Sequence, residues 1–274
     1  MHHALQIQEI LSSIFGHCHR RIDQASLART RRAFKEPALD VLWEEFSRDI
    51  SPLARCLPEA SRPLYLNNRL VRCFITLWIY HSFFSRRFTK SYSFTRPLTY
   101  TEWDILRSYT RLIRSIMNIE WGLDEKSLEI LSNPPTSEPL FPNLRLLGDI
   151  RWHTEPVPLL RSLFPSLVSL HLYFGVVPQR FPQWFQDCHL ASLPDSSPNV
   201  TELFLVVSEP DVAFCKLVSN WICRWRNIQT VQCNAISLDV HALAHLSRMP
   251  AFTELICEQV VAPPDCISPL PSPV

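Results

Sequence analysis

The sequence predicts an α/β protein, a small N-terminal module of three helices followed by a degenerate solenoid of strand–helix repeats. Three observations carry this expectation. Apolar residues recur at helical spacing through the first fifty positions, and one short apolar phrase returns five times after residue 140. The composition joins a core-sized apolar share of 46% to only four glycines and 23 prolines. So few glycines weigh against the phosphate-cradling loops and strained turns of nucleotide-binding enzymes. The prolines mark many short elements separated by rigid joints.

The expected organisation is a helical module over 1–50, a connector with an insertion over 51–98, repeats over 99–262 and a disordered proline-rich tail over 263–274. In the module a first helix from about Leu5 to His17 places Ile7, Ile10, Leu11, Ile14 and Phe15 on one stripe. A second begins after Asp23 as its N-cap and carries Leu27, Thr30, Ala33 and Phe34. A third opens at Glu36-Pro37, where proline has no amide to leave unpaired, and carries Leu39, Leu42, Trp43 and Phe46. A three-helix core of this size gains stability by docking to a partner or to the next domain.

The connector has no clean period. Its apolar run Cys73–Ser85 holds 13 uncharged residues between Arg72 and Arg86, short of the ~20 that cross a bilayer. From Thr99 the signal returns. Thr99 and Glu102 form a capping-box pattern ahead of Trp103, Leu106, Tyr109, Thr110 and Ile113, and a short helix is expected at Asp124–Leu131.

The phrase that repeats is FPNLRLL (141–147), FPSLVSLHL (164–172), SPNVTELFL (197–205), RNIQTVQC (226–233) and MPAFTELIC (249–257). Its first anchors are Leu144, Leu167, Val200, Ile228 and Phe252, separated by 23, 33, 28 and 24 residues. Three of these spacings fall in the leucine-rich-repeat range of about 20–29. A fainter copy sits at Ile113-Arg114-Ser115-Ile116, and helices are expected at Asp211–Trp225 and Ser237–Met249. In the LxxLxL frame the apolar residues point into the core and the intervening ones face out. The outward set is Ser169 and His171, Glu202 and Phe204, Thr230 and Gln232, and Glu254 and Ile256. Apolar side chains flanked by carboxylates suit an apolar, basic peptide segment.

Charge is uneven. Residues 1–116 carry 18 Lys/Arg against 10 Asp/Glu, and residues 117–274 carry 9 against 16. Such a basic front end invites a nucleic-acid reading. Its arginines, Arg29, Arg31 and Arg32 among them, are scattered through apolar helical patterns, so a solvated helix face is expected and no nucleic-acid partner. Nine cysteines without a CxxC pair suit a reducing compartment, cytoplasm or nucleus. No membrane association is expected. His241 and His245 sit one helical turn apart and His17-Cys18-His19 close the first helix, but neither group has the further ligands a metal needs. No GxSxG, GxGxxG, GxxxxGK or HExxH pattern occurs. Neither catalysis nor a cofactor is expected.

The stretches Ile7–Leu11, Ile14-Phe15, Leu27–Phe34 and Glu36–Trp43, followed by Ser51–Pro58, resemble the F-box-like modules of mushroom-forming fungi, which precede degenerate leucine-rich repeats. Arg96-Pro97-Leu98-Thr99 with Trp103 and the Phe-Pro-x-Leu repeat starts add to the resemblance, which spans most of the chain outside about 60–92. It implies a substrate-recognition subunit of a cullin-based ubiquitin ligase. The F-box would dock a Skp-type adaptor and through it a cullin scaffold, and the repeats would hold a protein substrate. Carried over, the adaptor surface would use Ile7, Ile10, Leu11, Ile14, Pro37, Leu39, Leu42 and Trp43.

Overall fold

The structure is a computed structural model that describes residues 7–18, 20–47, 51–59, 64–66, 91–117, 125–136, 138–152, 165–176 and 190–260. The apolar run Cys73–Ser85, the tail 263–274 and His19 lie outside them. The chain divides into two compact units, Met1–Leu144 and Arg145–Val274. Helices and parallel strands are mixed, an α/β arrangement. Counted by unit, the charge asymmetry narrows to 19 Lys/Arg against 15 Asp/Glu in the first and 8 against 11 in the second.

The first unit opens with α1 (Gln8–Gly16), α2 (Arg21–Thr30) and α3 (Arg32–Glu44). Leu11, Phe15 and Ala38 form a buried cluster on which Leu27, Ala28, Phe34 and Val41 pack, with Phe15 edge-on to Phe34 at 5.5 Å. Two helix starts differ from expectation. α2 begins at Arg21, and Asp23 lies inside its first turn, where both its carboxylate oxygens accept from Arg20 at 2.7 and 2.9 Å. α3 begins at Arg32, which leaves Pro37 inside the helix. Proline there forfeits the bond to the carbonyl four residues back. That residue, Ala33, is exposed, so its carbonyl is not buried without a partner.

α3 runs directly into β1 (Glu45–Ser47), which pairs in parallel with β4 (Ser115–Met117), Phe46 opposite Ile116. The Arg114 amide donates to the Glu44 carbonyl at 2.9 Å. Arg21 clamps the same junction, donating to the Leu42 and Glu45 carbonyls at 2.9 and 3.1 Å. Burial there pushes its guanidinium pKa down. Between β1 and β4 come α4 (Ser51–Cys56), an antiparallel pair of β2 (Leu64–Leu66) and β3 (Ser91–Ser93), and α5 (Tyr100–Thr110). The capping box of α5 is complete: Thr99 accepts from the Glu102 amide, and Glu102 accepts from the Thr99 amide at 2.7 Å. Helix α6 (Glu125–Ser132) follows β4.

The second unit is a parallel sheet of β5 (Leu146–Trp152), β6 (Ser169–Val176), β7 (Glu202–Glu209), β8 (Thr230–Leu238) and β9 (Glu254–Val260). A short α7 (Leu193–Ser196) precedes β7. Longer helices α8 (Val212–Ile222) and α9 (Val240–Ser247) follow β7 and β8, inside the ranges the sequence predicts. Each of the two is started by an Asp-Val pair: Asp211 accepts from the Phe214 amide at 2.6 Å, and Asp239 from the Ala242 amide at 2.8 Å.

The repeat phrase is the core. Leu167, Leu170 and Leu172, then Val200, Leu203 and Leu205, then Ile228, Val231 and Cys233 are all buried. In the last copy Phe252, Leu255 and Cys257 are half-buried, as an edge strand leaves them. The first copy has Asp149 where a third apolar residue belongs. There the β5–β6 register shifts after Leu147, so that Ile150 stands opposite Leu172. One extra residue on β5 accounts for the shift. A second shift separates Cys233 from Ser237, and within it Ala235 takes φ 62, a left-handed conformation that strains a Cβ. Among the described residues no helix is long and apolar enough to cross a membrane.

Candidate functional site

Two surfaces were expected to carry function, and the structure sorts the residues of each. On the helical module the expected adaptor-docking set divides by face. Ile7, Ile10 and Ile14 stand on the open side of α1 at 38%, 37% and 47% exposure. Leu11, next to Ile10 and about 100° around the same helix, is in the core, and Pro37 is buried in α3. Leu39 and Leu42 are half-buried. Trp43 is 6% exposed and lies against the ring of Tyr109 at 5.1 Å and that of Phe46 at 6.1 Å. The set is therefore not one surface: three isoleucines form an open stripe, whereas Leu11, Pro37 and Trp43 are buried.

Position Trp43 has a second meaning. Trp43 and Phe46 are three residues apart, as are Ile113 and Ile116, and Phe46 and Ile116 are paired across β1 and β4. Both pairs follow the spacing of the first two repeat anchors, and all four side chains are buried. The end of α3 thus supplies a repeat strand, which adds a frame ahead of the faint copy at Ile113. Sequence reading missed it because about seventy residues intervene.

An asparagine ladder links the copies. Asn143, Asn199 and Asn227 each precede a first anchor. Each donates through Nδ2 to a carbonyl two residues before the previous anchor, namely Arg111 at 2.7 Å, Pro165 at 3.1 Å and Pro198 at 2.9 Å. The signal was present in the sequence as the Asn of PNL, PNV and RNI.

On the sheet, the eight expected outward residues fall into two rows. Ser169 is paired with Glu202, Glu202 with Thr230, and Thr230 with Glu254. The second row is His171, Phe204, Gln232 and Ile256 in the same order. The structure therefore brings all eight together in a four-strand grid. Ser169 departs from the outward expectation: it is 4% exposed, with its hydroxyl 3.0 Å from His171 Nε2. The His171 ring in turn lies 4.2 Å from that of Phe204. Glu202 and Glu254 are exposed and make no salt bridge among the described residues. A third row, Tyr173, Val206 and Asn234, extends the face beyond the expected set. The opposite side of the sheet carries the buried frame residues.

The histidines have local partners. His17 Nδ1 is 2.8 Å from the Ser13 carbonyl at the end of α1. His241 Nδ1 is 3.3 Å from Cys223 Sγ, and His245 Nε2 is 3.0 Å from the Trp225 carbonyl. Burial and the nearby Asp239 push the Cys223 thiol pKa up, which disfavours a reactive thiolate. Among the described residues no group of three or more His, Cys, Asp or Glu could hold a metal ion.

Compared with known proteins, the chain finds no matching family model, no matching curated protein and no matching solved structure.

Proposed function

We propose that the chain is a substrate-recognition adaptor of a Skp–cullin–F-box ubiquitin ligase. In this reading the F-box-like module docks a Skp-type adaptor, and the open sheet face holds a target protein. The observation that supports it most is the stripe Ile7, Ile10 and Ile14, which is apolar, open and at helical spacing on a module whose core closes without it. The chain itself performs no chemistry: it raises the local concentration of target near an enzyme. It works in the cytoplasm or nucleus, without a cofactor.

The test is a binary binding measurement with a purified Skp-type adaptor. Ile10→Asp combined with Ile14→Asp abolishes binding in this reading, and adaptor binding by the double variant at the wild-type level sinks it. Trp43→Ala is a poor probe of docking, because that side chain is already buried in this chain.

A second reading, a leucine-rich-repeat interaction scaffold that recruits no ligase, is favoured by one fact. Leu11, Pro37 and Trp43 of the docking set are spent on intramolecular packing. Wild-type chain that gives no complex with adaptor and cullin, while its sheet face still binds peptide, selects the scaffold.

A further inference from the structure

The open face of β6–β9 repeats one chemical unit. On β7 an exposed Glu202 is followed two residues later by half-buried Phe204, and on β9 an exposed Glu254 is followed two residues later by Ile256, 45% exposed. The register puts Thr230 between the two glutamates and Gln232 between the two apolar side chains. Each unit pairs a carboxylate with an apolar side chain roughly 7 Å along the strand, and the two units stand roughly 10 Å apart across two strand spacings. The residues paired with these four in the two rows, Ser169, His171, Thr230 and Gln232, add no lysine or arginine. Backbone groups on β6–β8 are consumed by the ladder on both sides, so a ligand on this face is read by side chains.

These distances constrain the backbone of a ligand. A segment that crosses the strands must present cations about 10 Å apart on one edge and apolar side chains at the same interval on a neighbouring edge. A β-extended peptide fails, because residues three apart point to opposite sides. A polyproline II segment repeats every three residues with a rise of about 3.1 Å, so residues i and i+3 share an edge about 9 Å apart. Residue i+1 falls on the next edge, one third of a turn away.

We infer that the sheet face takes a polyproline II segment in which a basic–apolar pair recurs every three residues. Lys or Arg is set against Glu202 and Glu254, and Leu, Ile or Val against Phe204 and Ile256. This rests on the reading of that face as the target-holding surface and supplies the class of target.

The probe is a fluorescein-labelled Pro-Arg-Leu-Pro-Arg-Leu-Pro peptide titrated into the full chain and followed by fluorescence polarisation. Saturable binding is expected, weakened about tenfold in the Glu202→Gln/Glu254→Gln variant, the sum of two exposed charge pairs. It is weakened similarly when two prolines are inserted between the Arg-Leu pairs, and it falls as NaCl screens the charges. No saturation by roughly millimolar protein overturns the inference. So does equal affinity for the respaced peptide or for the Gln variant, or tighter binding of a helical peptide with the pairs seven residues apart. Circular dichroism of the Gln variant checks that both exposed substitutions leave the fold intact. Adaptor binding by the same Gln variant separates this result from the ligase reading. Weakened peptide binding with adaptor binding intact is the expected outcome. Peptide binding by a chain that never binds the adaptor sinks the ligase reading alone.

Discussion

The helical module and the repeat sheet use the same apolar vocabulary to opposite ends. In the sheet, frame residues of the inner strands such as Leu170, Leu203 and Val231 are fully enclosed, so apolar character there means core. Along α1 and its N-cap Ile7, four isoleucines and leucines share one stripe, and three of them, Ile7, Ile10 and Ile14, remain open. The difference is geometric. A strand in a parallel sheet sends alternate residues to opposite faces, and on the inner strands its core-facing set is covered by neighbours on both sides. A helix in a three-helix module offers a band wider than two other helices cover. Apolar residues beyond that band are spare, and spare apolar surface is what a partner reads.

Trp43 tests the comparison hardest on the side of the first unit, because it lies in the last turn of α3 where the helix runs into β1 and its side chain is buried. Trp43→Ala is expected to destabilise the chain by about 4 kcal/mol, the largest effect of any single substitution considered. Urea unfolding followed by far-ultraviolet circular dichroism checks it. A loss below ~1 kcal/mol would show that the Trp43 side chain contributes little to the core of the first unit.

Within the sheet the contrast is between centre and edge. Leu203→Ala on β7 is expected to cost about 3 kcal/mol, since the side chain is fully enclosed and its cavity cannot collapse. Leu255→Ala, the equivalent frame residue on β9, is half-buried and is expected to cost about half as much. Equal losses would mean that the edge is covered as well as the centre.

Much of the second unit was legible because its period is short and its frame strict. Leu167, Leu170 and Leu172 announce a strand whatever surrounds them. The bulge that brings Ile150 opposite Leu172 was not legible, since a register shift depends on the neighbouring strand rather than on local residues. In the first unit the stripe on α1 was readable, but its division into open and buried members was not. That division depends on where α2 and α3 lie, and no periodicity in α1 encodes it. The starts of α2 and α3 were misread for a related reason. Asp23 and Pro37 are good first-turn residues, yet an ion pair to Arg20 and an exposed Ala33 let the helices begin earlier. Of the outward grid, the rows followed from the frame alone, whereas the burial of Ser169 followed from its contact with His171.

A smaller effect separates the interior of the sheet from its surface by pH. Burial, with lesser contributions from Cys257 and Cys215, pushes the Cys233 thiol up to about 12 from its ordinary 9.0. The folded state thus holds the proton more tightly than the unfolded chain, so this stabilisation is complete below about pH 9 and is lost as pH rises toward 12. Stability is expected to fall by about 1 kcal/mol between pH 9 and pH 10 from this group. Cys233→Ala lowers stability at neutral pH through lost packing and flattens the alkaline slope. An unchanged slope in that variant, measured by urea midpoints at both pH values, would place the titration on another group.

The smallest stability effect is the one on which the functional contrast turns. Ile10→Asp removes an apolar side chain from the open stripe of α1, where 37% of the residue already meets water. Helix propensity falls modestly with aspartate, and the core of Leu11, Phe15 and Ala38 is untouched. Stability is therefore expected to fall by just under about 1 kcal/mol, since part of the side chain is covered in the folded chain. Adaptor affinity is expected to fall more than tenfold, because a carboxylate buried in an apolar interface loses its hydration without gaining a partner. Isothermal titration with the purified adaptor and urea unfolding of the same sample measure both quantities. A large loss of stability would assign Ile10 to the core and return the stripe to structure. The small loss of stability with unchanged adaptor affinity would leave the sheet face as the chain's working surface and favour the scaffold.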